Sequence, residues 1–202
     1  MVAEVEIQAE VVEQYQRDGA VLVKSVFSPS WVNKVRDGIM KNLEKPSQYS
    51  ERLVAKEGEG TYFDDYCNWS WIEEFRDYVF NSPASYLAAT FMKSSEVSFY
   101  HEHVLNKEPG TSKRTPWHHD QAYYPIDGEK PGDVIIFHMK TVHGAPGNTS
   151  SNTHRRVLST RWLGDDAVLA TRPWEVSPPI TGGLKPGQRA VCDTFPIVYS
   201  SE

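Results

Sequence analysis

Cysteine is scarce. Cys67 and Cys192 are the only two in 202 residues, too few for a disulfide framework and not spaced as a zinc site. No apolar run approaches the ~20 residues that a membrane span requires. The opening MVAEVEIQAEVVEQYQRDG lacks the basic start and the apolar stretch of a secretory signal. A reducing, cytoplasmic setting is the expectation. Basic charge is also in deficit, with 21 Lys and Arg against 27 Asp and Glu and a net charge of -6. The one basic cluster, THRRVLSTR, is short and largely apolar. Nucleic acid and anionic membranes are therefore not expected as partners, and a small molecule is. Internal repeats and low-complexity tracts are missing as well. What remains has the length of one domain with a proper core.

The first half reads as helical. Gln8 to Arg17 is amphipathic, and Gly19 stands where a helix would be capped. Ala20 to Phe27 (AVLVKSVF) is a strand by composition. Ser28 and Pro29 open a helix whose apolar positions Val32, Val35, Ile39 and Leu43 recur at helical spacing until Pro46. ERLVAKEGEGTYFDD reads as an exposed loop, and SWIEEFRDYVF and SPASYLAATFM as two more helices. Strand character begins after Ser95. EVSFYHEHVLNK alternates, placing Val97, Phe99, His101 and His103 on one face if it runs straight. TPWHHDQAYYP, the turn PIDGEKPGD, the run VIIFHMKTVHG and the strand RRVLSTRWLG follow. The Pro- and Gly-rich tail from Arg172 reads as an extended arm. Helices before strands indicate an α+β chain whose strands form a sandwich or barrel.

If WHHDQAY is a strand, His118 and Asp120 share a face and His119 points away. Such a pair supplies two ligands of a 2-His-1-carboxylate triad, which holds Fe(II) and leaves coordination positions open. It equally suits a His–Asp hydrogen bond at a sheet edge. The third ligand would be His138 or His143, which have opposite parity. His143, beside Gly144 at a strand end, is favoured, and His138 reads as structural. An arginine on the following strand would grip the far carboxylate of a dicarboxylate co-substrate. Arg155 is the choice, with Ser159 as a second donor on the face shared by Arg155, Val157, Ser159 and Arg161. The aromatics Tyr62, Trp69, Trp71, Trp117, Tyr123 and Tyr124 read mostly as core.

TPWHHDQAYYPIDG, PGDVIIFHMKTVHGAPGN and RRVLSTRWLGDD together resemble the phytanoyl-CoA dioxygenase family of Fe(II)- and 2-oxoglutarate-dependent oxygenases. VEQYQRDGAVLVKSVFS, HVLNKEPGTSKRTPWHHD and CDTFPIVY extend the likeness over nearly the whole chain. The resemblance implies one domain over residues 1–202, with a helical part to about 94, a β core over about 95–164 and an arm over 165–202. It implies a double-stranded β-helix of the jelly-roll or cupin-like type, with the N-terminal helices packed on one sheet. It implies His118, Asp120 and His143 as iron ligands, Arg155 as the 2-oxoglutarate anchor and His103 lining the co-substrate pocket. The implied reaction consumes O2 and 2-oxoglutarate, releases succinate and CO2, and hydroxylates a small organic substrate.

One departure stands out. Asp120 and His143 are only 23 positions apart, where the family carries a longer segment with several strands. The shortening implies an incomplete sheet with exposed edges, which the C-terminal arm would partly replace. Two rival readings follow: a non-catalytic jelly-roll relative that binds a ligand or partner, and a closed zinc site on the same three side chains.

Overall fold

The computed structural model describes residues 5–127 and 135–201. Its elements run α1 (Ala9–Asp18), β1 (Ala20–Leu22), α2 (Pro29–Glu44), β2 (Glu51–Leu53), β3 (Tyr62–Tyr66), α3 (Glu73–Asn81), α4 (Ala84–Met92) and β4 (Glu96–Lys107). Then follow β5 (Thr115–His118), a 3-10 turn (Asp120–Ala122), β6 (Ile126–Asp127), β7 (Ile135–Phe137), β8 (His143–Ala145), β9 (Arg155–Gly164), β10 (Val168–Leu169) and β11 (Ile197–Ser200).

The helix punctuation behaves as the sequence indicates. Ser28 accepts a hydrogen bond from the Trp31 N–H at the start of α2, with Pro29 at the first helical position. Gly19 closes α1 at φ 72°, its N–H bonded to the Tyr15 carbonyl. This glycine also reaches forward. Its carbonyl accepts from the His138 N–H and the Thr141 hydroxyl, both at 2.8 Å. A side chain there would be strained by the positive φ and would crowd Thr141 Oγ1 at 3.1 Å. The end of α1 thus pins the turn that leads into His143.

β4 organises the major sheet. Over residues 97–107 it pairs antiparallel with β9, and on its other edge with β3 (103–107) and β11 (96–98), with β2 outside β3. The strand is not straight: the register slips between Phe99 and His101. The bulge turns the two halves to different sides. Val97 and Phe99 pack with Trp162 against α3 and α4, whereas His101 and His103 face the opposite layer, so the four do not share a face. Beyond the bulge Val104 takes over the helix side, with Phe63, Ile39, Ile72 and Phe75. Among the described residues the layer facing the major sheet consists of three two-stranded ribbons, β1–β7, β5–β8 and β6–β10.

Four expectations need correction. The stretch ERLVAKEGEGTYFDD is not all loop: it contains β2 and the start of β3, with Tyr62 and Phe63 buried in the sheet. The glycines and acids between the two strands masked a hairpin. β1 ends at Leu22 rather than running to Phe27, because only Ala20–Leu22 find a partner, in β7. The part before residue 95 therefore contributes three strands as well as four helices, and the arm contributes β10 and β11. Of the turn PIDGEKPGD, residues 128–133 lie outside the described residues.

Candidate metal centre

The site is built on the β5–β8 ribbon, where His118 and His143 are direct antiparallel partners. Opposed residues project to one face, and the two imidazoles sit 4.3 Å apart between ring centroids. The ladder of β5 stops at His118, so the strand expected over WHHDQAY is only half realised. His119 stays extended (φ -126°, ψ 143°) and Asp120 begins the 3-10 turn. That single extended residue carries the alternation one step further. Asp120 therefore turns back beneath His118 while His119 is exposed.

Each histidine is held by its own strand. Nδ1 of His118 lies 2.8 Å from the Pro116 carbonyl, and Nδ1 of His143 lies 3.0 Å from the Thr141 carbonyl. A carbonyl only accepts, so both Nδ1 atoms carry the proton and both Nε2 atoms present a lone pair. The two Nε2 atoms each lie 3.5 Å from Asp120 Oδ1. One ligand atom from each residue falls within 4.8 Å of the others. Metal–ligand bonds of ~2.1 Å require neighbouring ligand atoms ~3–3.4 Å apart, close to what is found. The donor set of two neutral imidazoles and one carboxylate fits a divalent first-row metal such as Fe(II).

Asp120 is 1% exposed and its other oxygen is fully engaged. Oδ2 accepts from Arg161 Nη2 at 3.2 Å and from the Tyr124 hydroxyl at 3.4 Å. Arg161 in turn donates from Nε to Tyr124 Oη at 2.8 Å and from Nη1 to the Ser159 carbonyl at 3.2 Å. The buried carboxylate is thus neutralised on one side and left with a single oxygen for a metal.

A cavity of about 300 Å³ opens beside His118 and Asp120, lined also by His101, His103, Asp64, Tyr66, Tyr124 and Arg161, with Ser177 and Pro178 from the arm. His101 is buried, its Nδ1 on the Glu102 carbonyl at 3.0 Å. Burial, and next the Arg161 charge, hold its pKa well below the usual histidine range, so the ring is neutral. Its Nε2 is buried and meets no hydrogen-bond partner among the described residues. His103 Nε2 lies 2.9 Å from Asp64 Oδ1.

The structure brings His118, Asp120 and His143 together and places His103 in the cavity wall. Ser159 pairs with His103 across β4–β9 but is not among the residues lining the cavity. Arg155 stands at the exposed start of β9, opposite Lys107 on the same face. There the Tyr62 hydroxyl donates to Asp64 Oδ2 at 3.3 Å. Lys107 Nζ donates to the Ala145 and Pro146 carbonyls at 3.3 and 2.9 Å. Burial, with Arg155 beside it, lowers the Lys107 pKa to about 8. His138 is structural, its Nδ1 accepting from the Lys140 N–H at 3.0 Å. Of the aromatics expected in the core, Tyr62 and Tyr124 are there, whereas Trp71, Tyr123 and most of all Trp117, 79% exposed, are not.

Sequence reading missed Arg161, Tyr124, His101 and Lys107. Strand parity had placed Arg161 on the same face as Arg155. Nothing in the sequence showed that the 3-10 turn would swing Asp120 beneath it.

A family model described as "Phytanoyl-CoA dioxygenase (PhyH)" matches residues 15–130. No curated protein matches the chain. Among solved structures, SnoK, a non-heme alpha ketoglutarate dependent carbocyclase from nogalamycin biosynthesis, superposes with a TM-score of 0.77 at 19% identity, covering 96% of this chain and 97% of that one. SnoN, a non-heme alpha ketoglutarate dependent epimerase from the same biosynthesis, gives 0.75 at 17% identity over 94% and 98%. EctD from S. alaskensis, solved with 2-oxoglutarate and 5-hydroxyectoine, gives 0.62 at 12% identity over 86% and 82%. The short interval between the motifs does not prevent alignment along nearly all of this chain and of SnoK.

Proposed function

The chain belongs to the phytanoyl-CoA dioxygenase family, whose model takes in more than half of its length, and on that premise we propose that it is an Fe(II)- and 2-oxoglutarate-dependent oxygenase hydroxylating a small organic substrate. His118, Asp120 and His143 hold the iron. The observation that carries this reading is the disposition of the triad: both Nδ1 atoms are committed to carbonyls and Asp120 Oδ2 to Arg161 and Tyr124, so three lone pairs converge and the cavity side stays open. A structural zinc site would be closed by a fourth protein ligand, and no fourth His, Cys, Asp or Glu joins the cluster among the described residues.

When bound, iron with 2-oxoglutarate and O2 supplies the oxidising chemistry, and 2-oxoglutarate leaves as succinate and CO2. This chain's residues supply position and exclusion of water. Arg155 grips the distal carboxylate of the co-substrate, helped by Lys107, Tyr62 and Thr115 at the same corner. Ser159 and His103, side by side on β9 and β4, flank the path between that corner and the metal. Ser177 and Pro178 cover the cavity. In fold terms, the major sheet and the three ribbons opposite it are read as a double-stranded β-helix with a reduced second sheet.

The test is an anaerobic titration of metal-free protein with Fe(II) and 2-oxoglutarate, followed by visible absorbance. A charge-transfer band is expected only when both are present, and is expected to vanish in His143→Ala. Arg155→Ala should keep its Fe(II) affinity but bind 2-oxoglutarate ~10–100-fold more weakly, as loss of a charge-assisted pair implies. Failure of well-folded wild type to give the band would hand the assignment to the non-catalytic reading. With a substrate in hand, product analysis separates hydroxylation from the ring closure and epimerisation named for SnoK and SnoN.

A further inference from the structure

The side of the major sheet turned away from the metal carries a second cavity. A cleft of about 600 Å³ opens between α2 and residues 152–158, within the range of small-molecule pockets. Strand parity separates it from the metal centre. On β9, Arg156 and Leu158 line this cleft, while Arg155, Ser159 and Arg161 face the other way.

Its floor is apolar, made by Phe27, Trp31, Val35, Tyr78 and Leu158. It also explains an irregularity of α2. The stripe Val32, Val35, Ile39, Leu43 should be covered along its length, yet Ile39 is buried while Val32 at the cleft mouth is 48% exposed. The rim is basic. Arg36, His154 and Arg156 line it, and among the described residues no carboxylate does, in a chain with a net charge of -6. Elsewhere on α2, Lys34 pairs with Asp77 and Lys41 with Glu74. Arg36 reaches only the neutral side chain of Asn33, at 2.9 Å. Arg156 Nε is buried and meets no acceptor among the described residues. A buried guanidinium donor without an acceptor is disfavoured until one arrives.

We propose that this cleft binds an amphipathic monoanion, with an alkyl or aryl body against Trp31 and Leu158 and a carboxylate head on Arg156, flanked by Arg36 and His154. The head supplies an acceptor for the Arg156 guanidinium, whose Nε has none among the described residues, and the body covers the exposed end of the α2 stripe. The site does not depend on the metal or on the oxygenase reading.

Calorimetric titration of the metal-free full chain with octanoate and with 1-naphthoate tests it, using octylamine as a control of opposite charge. Saturable binding of one equivalent is expected for an acid and none for the amine. The tighter of the two acids identifies the body as alkyl or aryl. Arg156→Gln should weaken binding about 10-fold, and Val32→Trp, which fills the mouth from an exposed position, should abolish it. Both variants should retain the wild-type response to Fe(II) and 2-oxoglutarate. Absence of saturation by either acid, equal affinity for octylamine, or wild-type affinity in either variant would overturn the proposal. So would displacement of the bound acid by 2-oxoglutarate, which would place it at the Arg155 corner instead.

Discussion

Arg161 decides how Asp120 behaves. Asp120 is 1% exposed, and a buried carboxylate needs its charge balanced. The guanidinium supplies the charge, and with Tyr124 it occupies Oδ2, leaving Oδ1 alone to meet a metal. Its separate donors to Asp120, Tyr124 and the Ser159 carbonyl fix it as a planar fork that lysine cannot copy. This also separates Arg161 from Arg155 on the same face of β9: Arg161 is spent on Asp120, whereas Arg155 stands at the exposed start of the strand. Arg161→Gln is expected to weaken Co(II) or Fe(II) binding ~10–100-fold, the usual cost of losing a group that orients a ligand. Arg161→Lys should recover only part of that affinity. Wild-type metal affinity in Arg161→Gln, measured by competition with a chelator, would show that the arginine stabilises the sheet without positioning Asp120.

At the level of elements, β4 joins the helical layer to the site, and Glu102 sits just past its bulge. The Glu102 carboxylate accepts the backbone N–H groups of Asn68 at 2.6 Å and Trp69 at 3.0 Å, tying the segment after β3 to β4. Desolvation raises its pKa from the usual carboxylate value of about 4.5 to about 7. The folded state therefore holds this proton where the unfolded chain has released it, and stability declines as pH rises from about 4.5 to about 7. Glu102→Gln should flatten that decline. Urea melts at pH 5 and pH 8 are the check: an unchanged difference between the two pH values in the variant would mean that Glu102 is not the group responsible. The bulge also shows what the sequence could and could not convey. Gly19, Ser28 and Pro29 announced helix ends because their chemistry is local. The parity of β9 was readable for the same reason. The bulge after Phe99 and the hairpin of β2 and β3 were not, because the first depends on how Trp162 and α4 pack from distant parts of the chain and the second on Phe63 meeting Ile39, Phe75 and Val104. The triad was readable from His118, Asp120 and His143 because ribbon pairing and one extended residue suffice to converge them. The Arg161 contact required the whole sheet.

Across the whole molecule, the C-terminal arm reaches back to the segment that carries Asp120. Trp174 Nε1 donates to the Ala122 carbonyl at 2.7 Å. The Ser177 N–H donates to the Tyr123 carbonyl at 3.0 Å, while Ser177 Oγ and Tyr66 Oη lie 3.3 Å apart across the cavity mouth. The contacts to Ala122 and Tyr123 fall on the 3-10 turn that delivers Asp120 and on its cap, so the arm steadies Asp120 as well as covering the cavity. The arm cannot simply be cut away, because β11 beyond it pairs with β4. Trp174→Ala is the cleaner probe. Loss of one hydrogen bond and part of an aromatic cover should cost ~1 kcal/mol locally, a ~5-fold rise in local opening. Hydrogen exchange should quicken at Tyr123 and Ser177 and stay unchanged along β4 and β9, with metal affinity falling a few-fold. Unaltered exchange at the turn would mean that the ribbon holds Asp120 without the arm. Faster exchange along β4 as well would mean that the arm supports the whole sheet rather than the site, because opening confined to the turn is what an isolated cover predicts.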